Sequence, residues 1–166
     1  MSAKADYTAA EWSLLLRTPL LAGIALVTAS PSGPIGVFHE LTTMGRQLLA
    51  AGDAATPGSL LGDLVADARA LAERRMPPPP EERIPPAELR DRMLGTCRET
   101  LSVLAAKATP DEAAAYKQWI VDVTTQVAQA AKEGTILGFG GTPVSPAERT
   151  LLREIADTLG VAAPVV

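Results

Sequence analysis

The stretch Glu133-Gly134-Thr135-Ile136-Leu137-Gly138-Phe139-Gly140-Gly141-Thr142-Pro143-Val144-Ser145-Pro146-Ala147-Glu148 joins the ends of two predicted helices. Gly134 is a typical residue at a helix C-terminus, because glycine adopts a left-handed backbone without steric cost. Ser145 and Glu148 have the spacing of a capping box, in which their side chains bind free amides at a helix start. The stretch therefore predicts a helix, an ordered glycine-rich corner and a second helix. Three apolar side chains lie between the glycines: Ile136, Leu137 and Phe139.

The helix before this corner begins at another capping box, Thr109-Pro110-Asp111-Glu112. From there to the corner, apolar residues recur at helical spacing: Tyr116, Ile120, Val123, Val127 and Ala130. The helix after the corner shows the same periodicity and is predicted to end before Gly160. Its apolar positions are Leu151, Leu152, Ile155 and Leu159.

The first half of the chain carries similar helix signals. Thr8-Ala9-Ala10-Glu11 is a capping box that starts a helix with apolar residues on nearly every side, as expected in the centre of a bundle. Pro19 lies inside this helix and lacks an amide donor, so a kink or break is expected there. Further helices are predicted at 34–51, 59–73 and 87–107. The 59–73 helix is expected to bury its apolar residues, including Leu71. No segment alternates steadily between apolar and polar residues, so the predicted fold is an all-α bundle of about six helices.

A proline-rich segment, residues 74–86, separates the two halves of the chain. Its run of consecutive prolines at 77–80 favours extended polyproline geometry, which predicts a semi-rigid linker within a single helical domain of residues 1–166. A ligand for a proline-binding domain is the alternative interpretation of this segment. Both halves contain a capping box, a helix, a glycine-containing loop and a helix, so they are candidates for two pseudo-repeated helical hairpins.

Charge and composition narrow the classes of partner. The 166 residues include 15 Lys and Arg against 19 Asp and Glu, and these charges are interspersed, so no nucleic-acid partner is expected. The apolar run at 20–29 has about half the length of a membrane-spanning helix and Arg17 precedes it, so no transmembrane segment is expected. A single cysteine excludes an internal disulfide, which fits the predicted cytoplasmic location.

The sequence offers few groups for catalysis. Gly138-Phe139-Gly140-Gly141 lacks the Gly-Lys-Ser/Thr of a phosphate-binding loop and lies between helices. His39 and Cys97 are a formal base and nucleophile, but Cys97 falls on an apolar stripe where an inert buried thiol is expected. We therefore predict that the protein is not an enzyme. Trp12 and Trp119 are expected to anchor the core, with an aromatic ligand box as the alternative.

Several short patterns occur along the helix starts and turns: Thr8-x-x-Glu11-Trp12, Pro31-Ser32-Gly33, Glu133-Gly134, Val144-Ser145-Pro146-Ala147-Glu148 and Leu152-x-x-Ile155-Ala156. Together they resemble the tellurite-resistance TerB-type helical domains. The resemblance implies an all-helical fold and divalent-cation binding at acidic Asp-Gly turns with a downstream carboxylate. At the first turn, Ser30 and Ser32 stand where an aspartate is expected. The second turn leaves Glu133 and Glu148 as candidate ligands of Ca²⁺ or Mg²⁺, and Glu148 has a second explanation as a capping residue.

These observations favour a non-enzymatic interaction or adaptor module, for which the resemblance implies a stress-associated role and weak divalent-cation binding. No other cofactor is expected. The expected partner is a protein or a second copy of the chain, contacted through Ile136, Leu137 and Phe139. The alternative is a helical bundle that binds a small molecule or a lipid in a cavity lined by the first helix and the glycine-rich corner.

Overall fold

Five α-helices make up the fold within the residues that the computed structural model describes, which are 2–29, 45, 50, 55–56, 58–73, 86–133 and 144–164. We number them α1 (Ala9–Ala29), α2 (Leu60–Glu73), α3 (Pro86–Lys107), α4 (Pro110–Glu133) and α5 (Pro146–Leu159). A short 3-10 helix, Lys4–Asp6, precedes α1. These residues contain no β-strand, so the predicted all-α class is confirmed.

The boundaries of these five helices differ by no more than one residue from the predicted ones, because capping boxes and glycines are local signals. The predicted helix at 34–51 lies outside the described residues except for Gly45 and Ala50, which are both helical. The linker also lies outside them, apart from Pro86 at the start of α3. Residues 134–143 of the glycine-rich corner lie outside as well.

Helix α1 occupies the centre of the bundle, as its all-round apolar pattern predicts. It packs against α3, α4 and α5, and α2 packs against both α4 and α1. Because α1 has neighbours on several sides, its buried residues do not form a single stripe. One core joins residues from both sides of the linker, including Leu15, Leu26, Leu64, Met93, Ile120 and Ile155.

Helices α1 and α4 begin at the same end of the bundle. The hydroxyl of Tyr116, early in α4, donates to the carbonyl of Leu15, early in α1, at 2.7 Å. Helix α3 runs in the opposite direction, because Lys107 at its end reaches Glu11 at the start of α1 with 2.6 Å between Nζ and Oε2. The ends of three helices therefore meet on one side of the molecule.

Helix α1 continues without a break through Pro19, so of the expected kink or break the break does not occur. Proline has no amide to donate to the carbonyl four residues earlier, which belongs to Leu15. The Tyr116 hydroxyl donates to that carbonyl instead, and both Leu15 and Tyr116 are fully buried. A tertiary hydrogen bond thus replaces the one that proline removes, so the helix continues.

Leu71 is 43% exposed, so the expectation that it is buried is wrong. Leu60 and Leu64 lie on the same stripe of α2 and are buried, while Asp67, the next position on the stripe, is partly exposed and binds Lys4. The residues of this stripe are therefore buried only in the N-terminal part of α2, and helical periodicity alone does not predict where their burial ends.

Candidate functional site

A cluster of polar side chains lies where α1 and α4 begin. Glu11 closes the first capping box by accepting from the Thr8 amide at 2.7 Å, and Glu112 closes the second by accepting from the Thr109 amide at 3.0 Å. Two neighbouring helix N-termini bring partial positive charges together, and these two carboxylates compensate them. The capping boxes predicted from the sequence are confirmed.

Each capping carboxylate also binds a residue that is distant in the sequence. Lys107 donates to Glu11 at 2.6 Å, and Ser2 donates to the two oxygens of Glu112 through its amide at 3.0 and 3.1 Å. The Ser2 hydroxyl donates to Glu112 as well, at 3.0 Å. The segment before α1 is thus attached to α4, and the end of α3 is attached to α1.

These contacts keep both glutamates ionised. Hydrogen bonds from Lys107 and Thr8 lower the pKa of Glu11 to about 2. Burial raises the pKa of Glu112, but hydrogen bonds from Thr109 and Ser2 outweigh it and bring that pKa to about 2. The cluster therefore stabilises helix ends and the N-terminal segment.

A second polar group lies in the core between α1 and α3. The hydroxyls of Thr18 and Thr100 are 2.8 Å apart, and Cys97 is fully buried, as predicted. Burial raises the pKa of the Cys97 thiol to about 12. A thiol that stays protonated at neutral pH is a poor nucleophile. His39, the proposed base for this thiol, lies outside the described residues.

Both tryptophans are core residues, as predicted. Trp12 packs beside Tyr7 with ring centroids 5.6 Å apart, and Trp119 packs beside Tyr116 at 5.8 Å. The two indoles differ in their hydrogen bonds. Trp12 Nε1 donates to Asp67 at 2.7 Å, whereas buried Trp119 Nε1 has no partner within the described part of the chain.

The described residues do not test whether the predicted cation ligands, Glu133 and Glu148, come together. Glu148 is buried, and its Oε2 accepts from the Ser145 amide at 2.7 Å, which confirms the capping box. Glu133 ends α4, but its side chain lies outside the described residues. Across the described ranges, no three or more His, Cys, Asp or Glu side chains are grouped as a metal site requires. The Ca²⁺ or Mg²⁺ site stays a prediction.

The interaction residues predicted in the glycine-rich corner, Ile136, Leu137 and Phe139, all lie outside the described residues. Their role as a contact surface therefore stays a prediction. The corner is followed directly by α5, whose first residues border a cleft formed by described residues.

This α1–α3–α5 cleft lies between the C-terminal end of α1 and the N-terminal turns of α3 and α5. It has a volume of about 430 Å³. Two buried leucines, Leu89 and Leu151, form its apolar floor, and small side chains leave the space above them. The described residues that line it are Ala25, Thr28, Ala29, Leu89, Arg90, Pro146, Ala147, Thr150, Leu151 and Glu154.

An ion pair joins two helices at the cleft. Arg90 binds Glu154 through both carboxylate oxygens, with distances of 2.8 Å from Nε and 2.5 Å from the terminal nitrogen. The same guanidinium donates to Asp91 at 3.0 Å. Its hydrogen bonds to Glu154 lower the pKa of that carboxyl group, so the carboxylate stays ionised at neutral pH.

Sequence reasoning did not find this cleft. Its residues come from three helices, and Arg90 and Glu154 are 64 positions apart. The small residues at the helix ends, Ala25, Ala29 and Ala147, are the only local signal, and alanines at such positions are common in any helix.

Helix α1 is also long and apolar enough to cross a membrane by length and composition, with a mean hydropathy of 1.5 over 18 residues. Within the bundle, however, 61% of that window is buried. The buried core helix of a soluble protein meets the same criteria. The expected lack of a transmembrane segment thus stays a prediction.

Comparisons of the chain with protein families, curated proteins and solved structures find no match.

Proposed function

We propose that this protein is a non-enzymatic interaction module that binds a partner protein through the α1–α3–α5 cleft. The observation that carries this proposal is the cleft itself, which combines a buried leucine floor with walls of small side chains. Such a surface accepts an apolar side chain from another molecule, because burying apolar area is the main favourable term in association.

The state of the polar residues supports the same proposal. Glu11, Glu112 and Glu148 bind amides at helix starts, and Cys97 and Tyr116 are buried with raised pKa values. These groups therefore contribute to the stability of the scaffold that presents the cleft.

A matched pair of variants tests the proposal. Ala147→Trp places a large side chain at the cleft, whereas Ala105→Trp makes the same change at an exposed position of α3 outside it. Both residues are exposed, so both variants are expected to fold, which thermal unfolding followed by circular dichroism checks. The tagged wild type and both variants are then compared in quantitative affinity purification from the native host.

We expect proteins captured by the wild type to be retained by Ala105→Trp and lost by Ala147→Trp. Equal capture by all three proteins would show that the cleft is not the binding site. Capture by the wild type that does not exceed a tag-only control would overturn the interaction function.

The cleft volume favours a second candidate, a carrier of a small apolar molecule. At about 430 Å³ the cleft lies within the size range of ligand pockets, roughly 300–1,000 Å³. Native mass spectrometry of the purified protein tests this candidate, because a carrier retains bound molecules. The carrier function would be excluded if the purified wild type contained no bound molecule and bound apolar dyes no more strongly than Ala147→Trp does.

A further inference from the structure

We propose that the peptide bond between Met1 and Ser2 is cleaved, and that the new α-ammonium group of Ser2 forms a buried ion pair with Glu112. This modification site lies at the start of α4, and it does not depend on the cleft or on the proposed interaction function. Three features of Glu112 support it: its burial, its charge and the arrangement of its hydrogen-bond donors.

Glu112 is a buried carboxylate, and the residue is only 8% exposed. Glu11, which closes the neighbouring capping box, is more exposed and pairs with Lys107 at 2.6 Å. Among the described residues, no lysine or arginine forms an ion pair with Glu112. The helix start supplies only partial positive charge, and a buried carboxylate is costly unless an opposite charge pairs with it. The site therefore favours a cation beside Glu112.

The two oxygens of Glu112 differ in their hydrogen-bond donors. Oε2 accepts from the amide and the hydroxyl of Thr109 and from the hydroxyl of Ser2, each at 3.0 Å. Oε1 has the Ser2 nitrogen as its one donor within the described ranges, at 3.0 Å, and the same nitrogen lies 3.1 Å from Oε2. A peptide nitrogen carries one proton, so the two oxygens share it. Oε1 is thus left with part of one proton, although a carboxylate oxygen can accept two.

An ammonium group at the Ser2 nitrogen satisfies both oxygens. It carries three protons, so each oxygen receives one of its own, and its positive charge neutralises the carboxylate. The Ser2 hydroxyl holds the nitrogen in place, since it donates to Glu112 and lies 3.0 Å from the Tyr7 hydroxyl. Cleavage of the bond before Ser2 converts its peptide nitrogen into such a group.

The cleavage is a hydrolysis that requires a peptidase and water. Water adds across the C–N bond: its oxygen forms a carboxylate on Met1, and both of its hydrogens end on the nitrogen, which becomes the ammonium group of Ser2. Ser2 is 7% exposed when it is bound to Glu112. The peptidase must therefore act before the N-terminal segment packs against α4.

Mass spectrometry of the protein purified from its native host tests the cleavage. Digestion should yield an N-terminal peptide that begins at Ser2 and has a free α-amine. Peptides that extend to Met1 or beyond it would overturn the proposal. A Ser2 peptide with an acetylated amine would also overturn it, because acetylation removes the charge.

Thermal unfolding of two matched proteins tests the ion pair. Both are released from a fusion by a protease that leaves no added residues, so that one begins at Ser2 and the other at Met1. We expect the Ser2 form to have a Tm at least ~2 °C higher, because only this form carries an ammonium group at the Ser2 nitrogen. Equal Tm values of the two forms would overturn the ion pair.

Two substitutions separate the effect of charge from that of chain length. Glu112→Gln keeps an acceptor oxygen but removes the negative charge, so the difference in Tm between the Ser2 and Met1 forms should disappear. Glu11→Gln removes a carboxylate that does not contact Ser2, so the difference should remain. A difference that persists in Glu112→Gln would overturn the ion pair.

Enzymatic acetylation of the Ser2 amine neutralises the other partner while leaving Glu112 unchanged. It should lower the Tm of the Ser2 form by at least ~2 °C, and an unchanged Tm would count against the ion pair. None of these measurements depends on capture of a partner by the cleft, so failure of this proposal and failure of the interaction function are separate results.

Discussion

Tyr116→Phe is expected to destabilise the protein through the helix that contains Pro19. The substitution removes one hydroxyl and keeps the aromatic ring in a fully buried site. In the wild type that hydroxyl donates to the Leu15 carbonyl at 2.7 Å, where an ordinary α-helix would supply the amide of residue 19. The variant therefore leaves this buried carbonyl without the donor that the structure gives it.

The expected loss of unfolding free energy is about 1–3 kcal/mol, the cost of leaving a buried polar group unsatisfied. Burial of the ring does not change, so the area term is the same in both proteins. The loss should be much smaller if the helix itself regains a donor. Pro19→Ala restores the missing amide, so Tyr116→Phe in the Pro19→Ala background should cost only about 0.5–1 kcal/mol.

Urea unfolding of the four proteins in this double-mutant cycle measures the coupling between the two positions. Tyr7→Phe is the matched control. Its hydroxyl lies 3.0 Å from the Ser2 hydroxyl, which also donates to Glu112, so no backbone carbonyl loses a donor. We expect the control to cost less than Tyr116→Phe.

Equal costs of Tyr116→Phe in both backgrounds, or a cost no greater than that of Tyr7→Phe, would contradict this role of the Tyr116 hydroxyl. A coupling near zero would mean that the tyrosine does not replace the amide that proline lacks. The continuity of α1 would then need another explanation, such as packing against α3 and α5 alone.

Three further substitutions or probes test other contacts. The pKa of Glu112 is about 2 in the folded protein against a usual 4.5, so the stability that its carboxylate contributes is present above pH 4.5 and is lost as the pH falls towards 2. Thermal unfolding across that range should therefore show a steeper decline for the wild type than for Glu112→Gln, and parallel curves would contradict this. Cys97 is fully buried and its thiol has a pKa of about 12. A disulfide-exchange reagent should therefore modify this thiol only as fast as the protein opens. Rapid labelling of the folded protein would disprove the burial of Cys97. Trp12→Phe should lower the free energy of unfolding in urea by about 1–2 kcal/mol more than Trp119→Phe does. Trp12 loses a hydrogen bond to Asp67, whereas Trp119 has none to lose among the described residues. Equal losses in the two variants would argue against that difference.

The starts of three helices can be predicted from nearby residues alone. Each capping box involves residues three positions apart, so Thr8, Thr109 and Ser145 predict the starts of α1, α4 and α5 to within one residue. The side chain and the amides that it binds lie within one turn, and no knowledge of the rest of the fold is needed. The additional partners of these boxes, Ser2 and Lys107, are about a hundred positions away from the glutamates they bind and were not predictable.

The two expectations that the structure does not meet, a break at Pro19 and a buried Leu71, depend on residues outside the helix concerned. A break at Pro19 follows from local rules, and a residue 97 positions later in the chain, Tyr116, prevents it. Leu71 continues an apolar stripe, but the neighbouring helices do not cover the end of α2 where it lies. In both cases periodicity and propensity describe a single helix, whereas the outcome depends on what packs beside it.

Local sequence was enough to predict the all-α class, the boundaries of the described helices and the central place of α1. Capping and apolar periodicity depend on residues only a few positions apart, so they can be recognised without knowledge of the fold. The continuity of α1 through Pro19, the exposure of Leu71 and the α1–α3–α5 cleft were decided only by tertiary structure. The cleft is lined by residues from three helices, and its Arg90–Glu154 pair joins residues 64 positions apart. Such a surface depends on the relative placement of helices, which is set by packing across the whole core.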